Sequence, residues 1–254
     1  MTGFNDAKHQ CVCSEDGSYT AFSVEYGEHY HSTKDGALTE SLYKHVLPAM
    51  SCFESEASLR ILDICFGLGF NTLATLDYLR RQGSGKKIEI VSPEMDEALV
   101  RSLKDFKYPE NFRSLLPIID AVSRTGRYED EHVSVEVLFG DARKILPALE
   151  TPFDIVYQDA FSPIHNPLLW TREYFAEIAR LTHEKSIVTT YSTALRTRLA
   201  LYENGFKVYV NTGEGFRNAT VASKGELRGF ETVDMPHKIK CNPEIVSLKD
   251  SDPV

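Results

Sequence analysis

The chain has 254 residues, 42% hydrophobic and 26% charged, with a formal charge of −9. This length suits one large domain or a domain with an extension, and the acidic balance argues against strong non-specific nucleic-acid binding without forbidding an RNA substrate. No apolar stretch approaches the roughly 20 residues of a membrane span, and Met1 to Ser14 is polar with no signal core, so a cytoplasmic protein is expected.

Residues 1–58 alternate short strand-like pieces with turns. Tyr19 to Tyr26 reads as half of a hairpin, with Tyr26-Gly-Glu-His-Tyr-His beyond the turn. Leu38 to Met50 has helical spacing, with Leu38, Leu42, Val46 and Leu47 on one face and Pro48 near the end. Cys11 and Cys13 form Cys-x-Cys with no second pair following. With Cys52, Cys65 and Cys241 they read as reduced structural thiols, and no metal is expected.

From residue 59 strands and helices alternate. The spacing predicts strands at Leu59–Cys65, Ile88–Pro93, Val133–Phe139, Phe153–Tyr157, Ser186–Tyr191, Phe206–Val210 and Thr220–Ala222. It predicts helices at Asn71–Arg81, Asp96–Phe106, Arg143–Leu149, Leu168–Leu181 and Thr193–Glu203. Alternation of this kind implies an α/β fold: a mostly parallel seven-stranded sheet with helices on both faces. Tyr108 to His132 is too long for a connection and reads as an insertion, with some helix around Asn111 to Leu116. Three regions are expected: an N-terminal extension, 1–58, packing on the catalytic domain; that domain, 59–224, with the insertion at about 108–132; and a partly mobile tail, 225–254.

The candidate chemistry sits where strands end. Asp63-Ile-Cys-Phe-Gly-Leu-Gly-Phe-Asn71 closes the first strand and opens a helix. Gly67 and Gly69 allow a tight turn and close approach of a ligand. The third glycine of the dinucleotide fingerprint is absent, as is the Gly-Lys-Ser/Thr of a phosphate loop. The turn suits the amino-acid end of S-adenosylmethionine, or is a plain structural turn. Glu94 ends the second strand, where an acid can accept from both ribose hydroxyls. Asp141 follows the third strand and could accept from an adenine amino group or cap the next helix. Asp159-Ala-Phe-Ser-Pro-Ile-His-Asn-Pro-Leu-Leu-Trp170 follows the fourth strand. Asp159 stands where it could hold a substrate amine and take its proton, or could cap the turn. Phe161 and Trp170 read as wall or core residues more readily than stacking platforms, and His165 as a surface residue. The ordered set reads as a Rossmann-like methyltransferase. Its basic residues are uneven: 1–179 holds 17 Lys/Arg against 28 Asp/Glu, 180–240 holds 10 against 6, and 241–254 holds 1 against 3. A surface that meets nucleic acid is therefore expected in 180–240, with Arg196, Arg198 and Arg217.

These motifs resemble the MnmC-like family, the methyltransferase domain of the bifunctional tRNA 5-methylaminomethyl-2-thiouridine biosynthesis protein. The likeness runs from about Tyr30 to Ala222. It rests on Tyr30-His-Ser, Asp35-Gly, Thr39-Glu-Ser, Phe66-Gly-Leu-Gly-Phe-Asn71, Glu94, Phe139-Gly-Asp141, the Asp159 to Trp170 loop, Thr189-Thr-Tyr-Ser-Thr193 and Gly205-Phe206. The resemblance implies S-adenosylmethionine as cofactor. The implied reaction is conversion of 5-aminomethyl(-2-thio)uridine to its methylaminomethyl form at the tRNA wobble position. It makes Asp159 the acid–base group, beside the cofactor. It places Glu94 and Asp141 on the cofactor, with Gly67, Gly69 and Asn71 at its methionine end and Tyr30, Asp35 and Glu40 near its pocket. Phe161, Asn166 and Trp170, with the three arginines, are expected on the substrate side. The family's flavin-binding oxidase half has no counterpart here, so the aminomethyl group is expected to be made elsewhere. Two other readings stay open: a methyltransferase of this build acting on a small-molecule amine, and a non-catalytic module that keeps the fold.

Overall fold

A computed structural model describes Phe4 and residues 7–253; residues 1–3, 5–6 and 254, the ends of the expected extension and tail, lie outside the described residues. Two sheets are present. The first is a three-stranded antiparallel sheet of β1 (His9–Cys13), β2 (Tyr19–Ser23) and β3 (Glu28–His29). The second has nine strands: β4 (Ser58–Ile64), β5 (Lys87–Glu94), β6 (Arg127–Glu129), β7 (Val133–Phe139), β8 (Phe153–Gln158), β9 (Thr182–Thr190), β10 (Lys207–Asn211), β11 (Ala219–Ser223) and β12 (Glu231–Thr232).

The order in the large sheet is β12-β10-β11-β9-β8-β4-β5-β7-β6. The five strands β7, β5, β4, β8 and β9 pair in parallel, while β11, β10 and both edge strands run antiparallel to their neighbours. The seven strands expected from the pattern are thus the body, and the short β6 and β12 add an edge at each side. The order reverses at β4, between β5 and β8. That crevice, at the carboxyl ends of the strands, is where an open α/β sheet binds ligands. The central strands are apolar and almost wholly buried: Ile61, Leu62, Ile90, Ile155, Val156 and Ile187 are each 0% exposed. This is what a parallel sheet covered on both faces demands.

The helices follow the sequence with informative differences. A single rod begins as α1 (Ala37–Glu40), widens into a π turn over Ser41–Val46 and closes as α2 (Leu47–Met50). Then come α3 (Phe70–Arg81) and α4 (Glu97–Ser102), capped by the Asp96 side chain on Leu99 N. The expected insertion holds more order than its sequence promised. A 3-10 turn at Glu110–Leu115 leads into α5 (Leu116–Thr125), stopped by Gly126 at φ 78°. Next are α6 (Ala142–Ile145), α7 (Arg172–Arg180) and α8 (Leu195–Glu203).

The segment after residue 224 has fixed contacts where mobility was expected. It contributes β12 and α9 (Met235–Cys241), and Met235 is 1% exposed. Further on, Arg172 N donates to Leu248 O at 2.7 Å, Thr171 Oγ1 to Asp250 Oδ1 at 2.7 Å and Ser247 Oγ to Glu203 Oε2 at 2.6 Å. No helix among the described residues is long and apolar enough to cross a membrane.

Candidate active site

The carboxyl ends of β4, β5, β7 and β8 surround a cavity of about 860 Å³. The turn after β4 shapes its floor. Cys65, Gly67 and Gly69 all have left-handed φ, at 64°, 52° and 73°, and the non-glycine Cys65 holds such strain only because its surroundings fix it. A Cβ on Gly67 would lie 3.3 Å from the Tyr30 ring, so glycine is required on both counts. Gly69 serves differently from the expectation. A Cβ there would meet the Phe66 ring at 3.1 Å and Ile119 Cδ1 at 3.2 Å, and the residue faces packing rather than the cavity.

Glu94 ends β5 beside this turn. Its Oε2 accepts from Gly67 N and its Oε1 from Asp96 N, each at 2.8 Å. Burial raises its carboxyl, against the pull of these backbone donors. Each oxygen keeps a second lone pair for a ligand hydroxyl. Asp141 also lines the cavity, and its Oδ1 accepts from Arg143 N at 2.9 Å. It is thus the N-cap of α6, one of the two roles its position allowed.

Asp159 follows β8 and is held from several sides. Asn71 Nδ2 donates to Asp159 Oδ2 at 2.9 Å and, more weakly, to Asp63 Oδ1 at 3.3 Å. His45 Nε2 stands 3.4 Å from Asp159 Oδ1, without the alignment of a hydrogen bond. Burial by itself would raise the Asp159 carboxyl. His45 in its protonated form, helped by His31 and the Asn71 amide, outweighs it and brings the group below its ordinary value. Asp63 beneath shows the opposite balance. Burial pushes it up to about 8, although Thr72 and Asn71 donate to it. Asn71 Oδ1 is buried with no hydrogen-bond partner, an acceptor held in reserve at the cavity wall.

The loop after Asp159 is pinned along its length. Tyr191 Oη donates to Ala160 O at 2.9 Å, Trp170 Nε1 to Phe161 O at 2.7 Å, and Ser162 N to Glu28 Oε2 at 2.9 Å. Phe161 lines the cavity and stacks on Tyr26, ring centroids 4.5 Å apart at 23°. The N-terminal sheet thereby forms the cavity's cover. Tyr30, Glu40 and Asn166 also line the cavity, as expected of their segments.

Besides Gly69, four expected site residues stand elsewhere. Trp170, expected at the substrate, is 0% exposed and packs against Phe175 and Tyr191. Its one donor is spent on Phe161 O, so it fixes the loop and presents no face to a ligand. Asp35 does not line the cavity; its Oδ2 pairs with Lys44 at 2.8 Å and Arg217 at 3.1 Å. Arg198 is half-buried, and its Nε donates to Thr220 Oγ1 at 3.0 Å. Arg196 is exposed, away from the cavity lining. Arg217 does reach the cavity.

Sequence reasoning missed His31, Lys44, His45 and Tyr191. His31, Lys44 and His45 are buried on the cavity side, and Tyr191 ties the loop. Lys44 is 2% exposed and donates to Asp35 Oδ2 and to Glu40 Oε1 at 2.6 Å. For Lys44 and His45 the only sequence signal was polarity inside an amphipathic helical pattern, which usually marks a solvated face; His31 and Tyr191 fell inside the Tyr30-His-Ser and Thr189-Thr-Tyr-Ser-Thr193 motifs without being singled out.

With this geometry in place, comparison with known proteins identifies the family. Residues 110–225 match the model of a family described as S-adenosyl-L-methionine-dependent methyltransferase. The crystal structure of MnmC2 from Aquifex aeolicus superposes with a TM-score of 0.82 at 32% identity, over 97% of this chain and 80% of that one. The chain belongs to the MnmC-like methyltransferase family. An uncharacterised protein of Methanocaldococcus jannaschii is 32% identical over 222 residues, 85% of this chain and 60% of its own length. The bifunctional tRNA 5-methylaminomethyl-2-thiouridine biosynthesis protein MnmC of Paraburkholderia xenovorans is 30% identical over 221 residues, 81% of this chain. The chain spans only 33% of that bifunctional relative. Membership makes the protein an S-adenosyl-L-methionine-dependent methyltransferase and sets aside the reading as a non-catalytic module.

Proposed function

We propose that the chain methylates the primary amine of a 5-aminomethyl(-2-thio)uridine at the wobble position of tRNA. The observation that carries this reading is Asp159: an ionised carboxylate at the cavity wall, flanked by Phe161 on one side and Asn71 on the other. A buried carboxylate kept charged suits a cationic amine, and the Phe161–Tyr26 pair offers an aromatic wall suited to a base. The printed name of the bifunctional relatives supports the RNA substrate.

The residues present fit S-adenosylmethionine. Glu94 carries spare acceptor capacity for a ribose, Asn71 Oδ1 is an unpaired buried acceptor for an ammonium, and Gly67 leaves the floor open. Apolar Met95, 61% exposed at the cavity edge, suits an adenine face. When bound, the cofactor would supply an electrophilic methyl group on a positive sulfur, to be taken by the lone pair of the amine with the C–S electrons left on sulfur. Asp159 holds the substrate nitrogen in line and takes a proton from it, since an ammonium has no lone pair. Tyr191 and Trp170 keep the Asp159 loop rigid through its backbone carbonyls.

The test is methyl transfer from labelled S-adenosylmethionine to tRNA carrying the 5-aminomethyl group, with free primary amines alongside. Transfer to the RNA is expected. Asp159→Asn is expected to cut turnover by about 10²-fold or more while cofactor affinity changes little. Transfer to free amines alone would replace the RNA by a small-molecule amine. Wild-type turnover in Asp159→Asn would reduce Asp159 to a turn cap.

A further inference from the structure

His45 is 0% exposed, yet it sits in a helical rod whose sequence places Lys44, His45 and Val46 in succession. All three are buried, at 2%, 0% and 0% exposure. In a regular helix three successive side chains fan over about 200°, too wide for one interior. The π turn, marked by Leu47 N–H donating to Leu42 O, narrows that fan. Single π turns occur mostly where function needs a side chain re-aimed. Here the effect is to bring the imidazole to Asp159.

The contacts of the ring are asymmetric. Nδ1 lies 2.8 Å from Thr189 Oγ1, while Nε2 has no hydrogen-bond partner and faces Asp159 Oδ1 at 3.4 Å. The Tyr157 ring packs edge-on at 5.6 Å and 70°. Assigning the proton to Nδ1, as donor to Thr189, leaves the Nε2 lone pair open toward the carboxylate. The other titratable groups around the pair are His31, Glu40, Asp63, Tyr157 and Tyr191. Of these, Asp63 is kept largely protonated near neutral pH by burial, and both tyrosines are pushed up by burial, so they stay neutral.

We propose that His45 is the positioning residue of Asp159 and the store for the proton that Asp159 removes from the substrate. The inference rests on the reading of Asp159 given above. An N–H bond of the substrate ammonium breaks and an O–H bond forms on Asp159. That bond then breaks as an N–H bond forms at His45 Nε2. The carboxylate is charged again, the amine is neutral, and the net charge of the site is unchanged. After methyl transfer the product is a secondary ammonium, again facing an ionised Asp159, and His45 returns its proton to solvent on product release. A carboxylate alone is a weak base for an ammonium. The adjoining imidazole supplies the missing basicity, and Thr189 sets its tautomer.

Two measurements on the full chain test this. The first is ¹³C NMR titration of the Asp159 carboxyl in the wild type and in His45→Gln, without substrate. The carboxyl is expected to titrate at higher pH in the variant. An unchanged titration would overturn the pairing. The second is single-turnover methylation of the aminomethyl tRNA at pH 6 to 9, with saturating cofactor. His45→Gln is expected to lose about 10- to 100-fold near pH 7 and to recover as rising pH deprotonates the substrate amine unaided. Thr189→Val is expected to give a smaller loss with the same shape. An equal loss at every pH would mean a structural role and sink the proton store. If the wild type transferred no methyl to this RNA, the substrate reading would fall, while the NMR titration would still decide the pairing.

Discussion

Single residues in this site carry opposite electrostatic tasks a few ångströms apart. Asp63 and Asp159 share the Asn71 amide, yet burial pushes the first up to about 8 while His45 and its neighbours hold the second below its ordinary value. The sign for stability follows directly. A raised carboxyl binds its proton more tightly folded than unfolded, so from about pH 4 to pH 8 the folded chain holds the extra proton. Stability contributed by Asp63 is therefore present at low pH and lost as pH climbs through that window. Asp63→Asn keeps an acceptor for the Asn71 amide and replaces the acceptor of the Thr72 hydroxyl by an N–H donor to it, without a charge to bury. Its stability relative to the wild type is expected to be about 4 kcal/mol greater at pH 8 than at pH 5. Urea denaturation at the two pH values checks this, and a gain as large at pH 5 as at pH 8 would refute it. Glu94 has a simpler task. Glu94→Ala should weaken S-adenosylmethionine binding by about 1–3 kcal/mol in calorimetric titration. Unchanged affinity would remove Glu94 from the cofactor.

At the scale of elements, the body of the sheet was legible because each buried strand is a compact apolar run, with Glu94, Gly140 and Asp159 closing β5, β7 and β8. The loop from Asp159 to Trp170 stood out because its residue types are costly to keep. Trp170, read from its residue type as wall or core, is core; its expected place on the substrate side does not fit, since a sequence does not say which way a loop aromatic turns. Within 108–132, Pro109 and Pro117 masked α5. In hindsight Pro117 in the first turn, the Ile118, Ile119 and Val122 stripe, and Gly126 after the end were all helix signals. The π turn left none: one extra residue per turn changes which side chains face inward without changing composition. Nor did residues 225–253 announce their docking, which depends on partners such as Arg172 and Glu203, far back in the chain. Gly126 tests the elements that back the cofactor turn. Its φ is 78°, and a Cβ would lie 3.0 Å from Phe139 Cε2 and 3.3 Å from Val137 O. Gly126→Ala is expected to cost about 1–3 kcal/mol in thermal unfolding. An unshifted midpoint would mean that the α5–β6 corner relaxes freely.

For the whole molecule the central tension is charge. A chain at −9 is proposed to meet a polyanion, and its arginines divide by structure into those free to do so and those already committed. Arg198 is half-buried on Thr220 and serves the sheet. Arg196 is exposed, and Arg217 stands at the cavity edge on an ion pair with Asp35, 66% of its side chain open to solvent. Binding should therefore use few phosphates and lean on the modified base and its ammonium. Each arginine that does meet a phosphate releases counterions and steepens the fall of affinity with salt. Arg196→Ala and Arg217→Ala are each expected to reduce the slope of log K against log salt by about one. Arg198→Ala should leave the slope unchanged and lower the unfolding midpoint instead. Titration of the aminomethyl tRNA across a range of salt concentrations separates these outcomes. A slope untouched by the Arg196 and Arg217 variants together would place the RNA on another face of the protein, or leave a small amine as the substrate. The free-amine arm of the methylation assay already distinguishes those two.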